Sequence, residues 1–182
     1  VDVPSAGDAV DFSYTGVMFT GPGAVSFYRR SVAVGGAGGL GVYGNNGGSS
    51  PFFMNFYTDN TFGYRADVAG TDTLINPAGA MTAGVWYLWT INFHDGDKFD
   101  LSAVNTDDSS SFFSATNQTV RDNTTLTNIY GTRFLGGAGS VSEFDSINFS
   151  AVPEPTTAML LLGATGLLAL VRKSRRHHAP QA

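Results

Sequence analysis

Cysteine is absent from this 182-residue sequence. Its absence excludes disulfide bonds, thiolate metal sites and cysteine nucleophiles, but leaves the compartment open because exported and cytosolic proteins can both lack cysteine. Charged residues are also scarce, at 14% of the chain, with two glutamates and two lysines in all. These two residues are good helix formers, so their scarcity argues against a helix-rich body. The 23 glycines, together with many Ser, Thr and Asn, favour an all-β fold.

The net charge of −5 divides unevenly at Pro153. Residues 1–152 hold 14 acidic and six basic residues, a net of −8, whereas residues 153–182 hold one acidic and four basic residues, a net of +3. The bases of the body are scattered apart from Arg29 and Arg30, and binding to phosphates requires clustered bases. We therefore expect no nucleic-acid partner, and we expect the basic tail to lie near a membrane or a polyanion.

Three kinds of segment succeed one another in the last thirty residues. Pro153, Glu154 and Pro155 come first, and the two prolines keep this stretch extended, so that a helix begins only after it. The uncharged, Leu-rich residues 158–171 are apolar on every side. At about 21 Å they are shorter than a bilayer core of roughly 30 Å, but basic side chains at their end can reach the headgroups. That basic cluster, which marks a cytoplasmic end, consists of Arg172, Lys173, Arg175 and Arg176. The alternative is a buried core helix.

This order of segments resembles the PEP-CTERM sorting signal of Gram-negative bacteria. The resemblance implies that Pro153, Glu154 and Pro155 are the motif recognised by an exosortase-like processing enzyme, and that the helix anchors the chain transiently in the inner membrane. It also implies an exopolysaccharide context and a destination at the cell surface or in the extracellular matrix. The expected boundaries are 152–156 for the motif, 157–171 for a transmembrane-type helix, 172–176 for the basic stop and 177–182 for a tail.

The body, residues 1–151, shows short alternating runs separated by Gly, Asn and Asp, which predicts a β-sandwich of about nine strands. The clearest run is 86–93, in which Tyr87, Trp89, Ile91 and Phe93 share one face. An Asp95-Gly96 turn then leads into a second alternating run, which predicts a hairpin. The predicted strands are 9–20, 25–34, 40–43, 52–57, 62–68, 85–93, 98–105, 129–134 and 144–150.

The Trp-led hairpin and the closing run EFDSINF, residues 143–149, resemble concanavalin A-like and LamG-like jelly rolls. The resemblance implies a jelly-roll sandwich, with the C-terminal helix coming after it. It also supplies an alternative function, a LamG-like carbohydrate-binding module that depends on calcium.

Two sets of side chains are candidates for binding. Asp95, Asp97 and Asp100 place three carboxylates within six residues, as a calcium loop requires, and the alternative is a solvated hairpin turn. Aromatic residues are candidates for stacking against sugars, and the alternative for them is core packing. The aromatic set comprises Phe52, Phe53, Phe56, Tyr57 and the residues from Trp86 to Trp89.

Three partial matches to enzyme motifs in the sequence each lack a required residue or context. The glycine-rich residues 36–41 fit a dinucleotide loop only literally, because no helix pattern comes after them. Glu143 and Asp145 lack the third carboxylate of jelly-roll glucanases, since Asn148 stands in its place, and His94 has no nucleophile motif as a partner. We expect a non-enzymatic exported protein without a cofactor, unless calcium binds at the hairpin. Because no Met and no leader precede Val1, we expect either that the sequence begins after a removed signal peptide or that it is a fragment.

Overall fold

The computed structural model describes residues 2–3, 9–13, 19–31, 38–44, 49–94, 96–121, 128–136 and 142–151. The chain divides into two units, Val1–Ala151 and Val152–Ala182, and all the described residues belong to the first unit. The predicted helix at 157–171 therefore lies outside the described residues. None of the residues that the structure describes belongs to a helix that could span a bilayer.

Thirteen strands form in the described residues. They are β1 Asp2–Val3, β2 Ala9–Ser13, β3 Phe19–Thr20, β4 Gly23–Ser31, β5 Gly38–Gly44, β6 Ser49–Phe56, β7 Phe62–Val68, β8 Thr71–Ile75, β9 Trp86–Phe93, β10 Lys98–Asn105, β11 Ser111–Thr119, β12 Asn128–Gly136 and β13 Ser142–Ala151. Every pairing between them is antiparallel, in the order β1-β13-β4-β9-β10-β11-β7-β6-β5-β12-β2, with β3 beside β12 and β8 beside β7.

The sheet curls so that its two halves face each other across one core. The link between the halves is narrow, since β11 and β7 share a single registered pair, Thr119 with Asp67. Across the core, the ring of Phe62 in β7 lies 4.9 Å from that of Trp89 in β9, and the ring of Phe52 in β6 lies 5.1 Å from that of Phe99 in β10. Both contacts are edge-to-face, the geometry that aromatic pairs prefer. The β-sandwich of jelly-roll type predicted from the sequence is confirmed.

The hairpin predicted at Asp95-Gly96 is present and positions the centre of the first half. In β9, Tyr87, Trp89, Ile91 and Phe93 are buried, as the alternation predicts. Its partner β10 registers Phe99 against Phe93, and Gly96 in the turn has a φ of 82°, which glycine adopts without strain. On the other side, β4 alternates strictly between buried and half-buried residues. The strands β13, β4, β9 and β10 therefore have one inward face and one outward face.

The prediction of nine strands was incomplete. The single run 9–20 corresponds to β2 and β3, and strands β1, β8 and β11 were missed. In β11, Ser111 pairs with Val104 and Phe113 with Ala103, so that Phe112 is an extra residue in a bulge. The bulge lets both Phe112 and Phe113 pack against Phe62, at 5.9 and 4.9 Å, which breaks the alternation that identifies a strand.

One charged residue lies in the core. Arg29 in β4 is fully buried, and its guanidinium lies 4.0 Å from the centre of the Phe56 ring, where the cation is attracted to the ring face. Its Nη1 donates to Met81 Sδ at 3.3 Å. Burial lowers the pKa of Arg29 to about 9, so that the side chain is still a cation at neutral pH. The next residue, Arg30, points to the opposite face of the sheet.

Candidate functional site

A surface pocket of about 340 Å³ lies on the outward face of β4, β9 and β13. Tyr28 stands in the middle of β4, where it registers with Leu88 of β9 on one side and Asp145 of β13 on the other. Trp86 begins β9, and Thr106 comes directly after β10. The pocket is lined by Tyr28, Trp86, Thr106, Asp145 and Ser146. Four separate elements therefore bring these side chains together.

A bulge in β13 forms one wall of the pocket. Asp145 pairs with Tyr28 and Asn148 pairs with Ser26, so that β13 has two residues where β4 has one. Within the bulge, Ser146 has a φ of 51°, a conformation that residues other than glycine adopt at a cost and that occurs often at functional sites. Its backbone N–H donates to Asp145 Oδ1 at 2.7 Å. The bulge thus fixes the exposed carboxylate of Asp145 at the pocket.

Trp86 is held through both its backbone and its ring. Its backbone carbonyl oxygen accepts hydrogen bonds from both the backbone N–H and the hydroxyl of Thr106, each at 3.0 Å. The guanidinium of Arg30 lies 4.7 Å from the centre of the Trp86 ring. Arg30 in turn is paired with Glu143, since its Nε donates to Glu143 Oε2 at 2.7 Å and its terminal nitrogen bonds the same oxygen. The aromatic surface is therefore positioned before any ligand arrives.

Polar atoms at the pocket remain available to a ligand. Within the part of the chain that the structure describes, the Tyr28 hydroxyl, the Trp86 indole N–H and Asp145 Oδ2 have no hydrogen-bond partner. An aromatic surface with a few fixed donors and acceptors is the usual composition of a small-molecule site. In Tyr and Trp, an apolar ring is combined with a polar atom, which suits a partly wet site. The arrangement fits a polar ligand with flat apolar faces, as sugars have.

The predicted aromatic set divides between core and surface. Phe52, Phe56 and Trp89 are fully buried and pack in the core, as the alternative interpretation holds. Phe53 and Tyr57 are half-buried on the other half of the sheet, and Trp86 is the member that lines the pocket. Sequence reasoning missed Tyr28, although its position between the inward residues Phe27 and Arg29 places it outward.

The predicted calcium ligands are not gathered into a cation site in the described residues. Asp95 lies outside the described residues, and the Asp97 carboxylate lies 3.2 Å from Lys98 Nζ. Asp100 Oδ2 lies 2.9 Å from His94 Nε2, while Asp100 Oδ1 accepts the N–H of Asn117 at 2.7 Å. Among the described residues no group of three or more His, Asp or Glu side chains is placed to hold a metal ion. Calcium binding at this hairpin stays a prediction.

The candidate sorting residues, Pro153 to Pro155 and the basic residues from Arg172 to Arg176, lie outside the described residues. The strand β13 ends at Ala151, which pairs with Gly23 of β4. Comparison with known protein families identifies the segment that begins at the end of this strand. Residues 151–176 match the PEP-CTERM protein-sorting motif. The resemblance drawn from the sequence is confirmed, and a PEP-CTERM signal implies that the protein is exported.

Solved structures confirm the jelly-roll fold of the β unit. A tetrameric galectin from the ball sponge Cinachyrella sp. is 16% identical, with a TM-score of 0.53, over 79% of this chain and 100% of that chain. The carbohydrate-binding module CBM66 from Bacillus subtilis is 10% identical, with a TM-score of 0.55, over 82% of this chain and 86% of that one. The LG1-3 region of the laminin alpha2 chain is 12% identical, with a TM-score of 0.55, over 81% of this chain and 30% of that chain.

A sialidase also shares the fold, at 10% identity and a TM-score of 0.53, over 80% of this chain but only 14% of the sialidase. Comparison with curated proteins finds no sequence match. At these identities the structural likeness shows the fold alone.

Proposed function

We propose that this chain is a non-enzymatic protein of the bacterial cell envelope or extracellular matrix, whose β-sandwich binds a saccharide in the outward pocket. The PEP-CTERM motif at 151–176 supports the sorting half of the proposal. In this proposal an exosortase-like enzyme recognises Pro153, Glu154 and Pro155, and the apolar residues 158–171 hold the chain transiently in the inner membrane. The basic residues Arg172 to Arg176 mark the cytoplasmic end.

The pocket carries the binding half of the proposal. Trp86 and Tyr28 supply aromatic surface, and Asp145, Thr106 and Ser146 supply polar atoms around it. Aromatic rings bind the C–H faces of a sugar, while fixed acceptors bind its hydroxyl groups. Relatives in fold include a galectin and a carbohydrate-binding module, which is consistent with this ligand class. We expect the ligand to be an exopolysaccharide that the host cell produces.

A hydrolase is the competing class, and the carboxylates of the outward face argue against it. Glycoside hydrolysis requires two carboxyl groups across one bond, one of them able to donate a proton. Glu143 and Asp145 are the nearest such pair along β13, but Glu143 is bound to Arg30 in an ion pair. A carboxylate held in this way is poorly suited to act as a general acid. The likeness to the sialidase spans a small part of that enzyme and transfers no catalytic group.

Processing can be tested in the native host by mass spectrometry of the mature C-terminus. We expect the unaltered protein to lose its basic tail and to leave the inner membrane, whereas Pro155→Ala keeps the tail and remains in the membrane. Pro180→Ala changes a proline outside the matched residues and is the control. An unaltered protein that retains Arg172 to Arg176 at the inner membrane would contradict the sorting half.

Saccharide binding can be tested on a glycan array with the full chain, with and without a chelator. We expect binding that survives chelation, that Trp86→Ala abolishes, and that the aromatic control Phe53→Ala retains. Binding lost on chelation would instead support the calcium site at Asp95, Asp97 and Asp100. No binding under either condition would remove the binding half of the proposal.

A further inference from the structure

The outward pocket has a negatively charged lining residue and no positively charged one. Of its five lining residues, Asp145 alone has an acidic side chain, and none of the five is basic. Its carboxylate is exposed, with Oδ1 bonded to the N–H of Ser146. Oδ2 has no hydrogen-bond or ion-pair partner among the described residues. A free carboxylate oxygen beside an aromatic surface is therefore the main electrostatic feature that a ligand meets.

The cation that lies over Trp86 is already neutralised by an ion pair. Arg30 stacks on Trp86, but two of its nitrogens bond Glu143 Oε2, so the pair contributes little net charge. The two residues after Thr106, which are Asp107 and Asp108, are both exposed acids. Hydrogen bonds from the side chain and backbone of Ser110 hold the pKa of Asp108 below its usual range, so it stays ionised near neutral pH. The described surface around the pocket is therefore acidic.

We propose that the pocket distinguishes saccharides by charge, preferring sugars with a protonated amino group to neutral sugars, and neutral sugars to uronates. The inference deepens the proposed function and rests on it. The ring of the sugar lies against Trp86 and Tyr28, and its ammonium group donates to Asp145 Oδ2. A uronate would bring a second negative charge to the same carboxylate. Like charges brought together cost binding energy and exclude the wrong ligand.

The size of the preference depends on the exposure of Asp145. A hydrogen bond between two ions is stronger than a neutral one, but an exposed pair is weakened by water. We expect the amino sugar to bind about two to five times more tightly than its neutral parent. Because the Debye length falls from about 30 Å at 0.01 M salt to about 10 Å at 0.1 M, the preference should shrink as salt is added. The contribution of ring stacking should change little with salt.

The test is a matched ligand series, measured by calorimetry with the full chain at low and high salt. Each series holds an amino, a neutral and a uronate form of one oligosaccharide backbone, and three backbones are used, with gluco, galacto and manno configurations. In at least one series we expect the order amino, neutral, uronate. Asp145→Asn should bring the ratio of amino to neutral affinity close to one. Asp59→Asn, which changes an exposed acid in the loop between β6 and β7, should leave that ratio unaltered.

The outcomes separate the inference from the function on which it rests. Neutral forms that bind as well as amino forms, or uronates that bind best, would overturn the charge preference while leaving saccharide binding intact. A preference that persists in Asp145→Asn would assign it to another group and would also overturn the inference. Failure of every form to bind would overturn the proposed saccharide function together with the preference.

Discussion

The inward and outward faces of β4 and β9 place the same kinds of side chain in different surroundings. Arg29 points inward, is fully buried and lies between the Phe56 ring and the sulfur of Met81. Arg30, its neighbour, points outward, pairs with Glu143 and covers part of Trp86. Two adjacent arginines thus have different tasks, since the first fills the core and the second positions a surface aromatic residue.

The two tryptophans of β9 repeat this difference. Trp89 has no exposed surface and packs edge-on against Phe56 and Phe62. Trp86 is half-buried and lines the pocket. Inward positions of these strands therefore determine stability, and outward positions are available for recognition. Substitutions that separate the two properties test this division.

The largest effect is expected at Trp89. Trp89→Ala removes a fully buried indole, and such changes cost about 3 to 5 kcal/mol of unfolding free energy. Trp86→Ala should cost less than about 1 kcal/mol, because this side chain lies on the outer face of the sheet and is partly exposed. Urea denaturation followed by far-UV circular dichroism measures both. Equal losses for the two variants would contradict the division between the faces.

The arginine pair should show the next largest difference. Arg29→Ala leaves a cavity beside Phe56 and should cost about 2 to 4 kcal/mol, while Arg30→Ala breaks a surface ion pair and should cost about 1 kcal/mol or less. Arg29→Met keeps most of the side-chain volume and should recover much of the loss. The same denaturation experiment applies. If Arg30→Ala lowered the unfolding free energy as much as Arg29→Ala does, outward residues would contribute to stability as much as inward ones, which would contradict the division.

Arg29 should also give stability a dependence on pH. Burial lowers its pKa to about 9 from an ordinary value of 12.5, so the folded protein releases this proton before the unfolded chain does. Folding is then favoured increasingly as pH rises through about 9. We expect the unfolding free energy of the unaltered protein, relative to that of Arg29→Met, to rise between pH 8 and pH 10. A difference that stays flat over this range would contradict a lowered pKa.

A substitution at Gly63, an outward position that neighbouring side chains cover, should have an intermediate effect on the unfolding free energy. Gly63 in β7 lies beneath Tyr57 and Asn76, whose side chains bond each other at 3.1 Å. A Cβ at this position would clash with Asn76 Oδ1 and would lie 2.9 Å from the Tyr57 hydroxyl. Gly63→Ala should cost about 1 to 3 kcal/mol, as overpacking does. The double variant Gly63→Ala with Asn76→Ala should recover part of that cost in thermal unfolding, and an additive loss would contradict the steric explanation.

The smallest effect is expected at Asp72, which joins two arginines on the outer surface. Its carboxylate lies 3.0 Å from Arg65 Nε and 2.9 Å from a terminal nitrogen of Arg121. Burial by itself would raise the pKa of Asp72, but the hydrogen bonds and charges of Arg65 and Arg121 outweigh it and lower the pKa. Asp72→Asn should cost about 1 kcal/mol at pH 7.

The pH dependence at Asp72 has a different cause from that at Arg29. At Arg29 burial disfavours the charged form, whereas at Asp72 two arginines favour it. A lowered carboxyl pKa stabilises the folded state above the unfolded pKa of about 3.9, and the effect is lost as pH falls through the folded-state value. The cost of Asp72→Asn should therefore be present at pH 7 and shrink below about pH 4. A cost that is constant down to pH 2 would show that packing, rather than charge, explains it.

The sequence predicted the fold where alternation is regular and failed where a bulge interrupts it. Strict alternation around Gly96 predicts the hairpin of β9 and β10, and the structure confirms it. The bulge at Phe112 interrupts the alternation in β11, so that this strand was not predicted. The bulge after Asp145 forms one wall of the pocket, which was not predicted either. A bulge depends on the register between two paired strands, and the sequence of one strand alone does not determine that register.

The candidate site was only partly accessible from the sequence for a related reason. Trp86 was recognised as one aromatic residue among many, but the sequence does not show that it meets Tyr28 and Asp145, which are far from it along the chain. The PEP-CTERM motif, in contrast, is contiguous, and its order of segments was sufficient to recognise it. Local patterns were therefore predicted well, and groupings across strands required the structure.

The most direct test of the central claim uses the fact that the chain contains two tryptophans, one on each face. Their indole N–H groups give two signals in a ¹H–¹⁵N correlation spectrum, which Trp86→Phe assigns. The saccharide that binds most tightly on the array is then titrated in. We predict that the Trp86 signal shifts with saturation while the Trp89 signal stays in place. Saturable binding that leaves the Trp86 signal unmoved would contradict a saccharide site on the outward face.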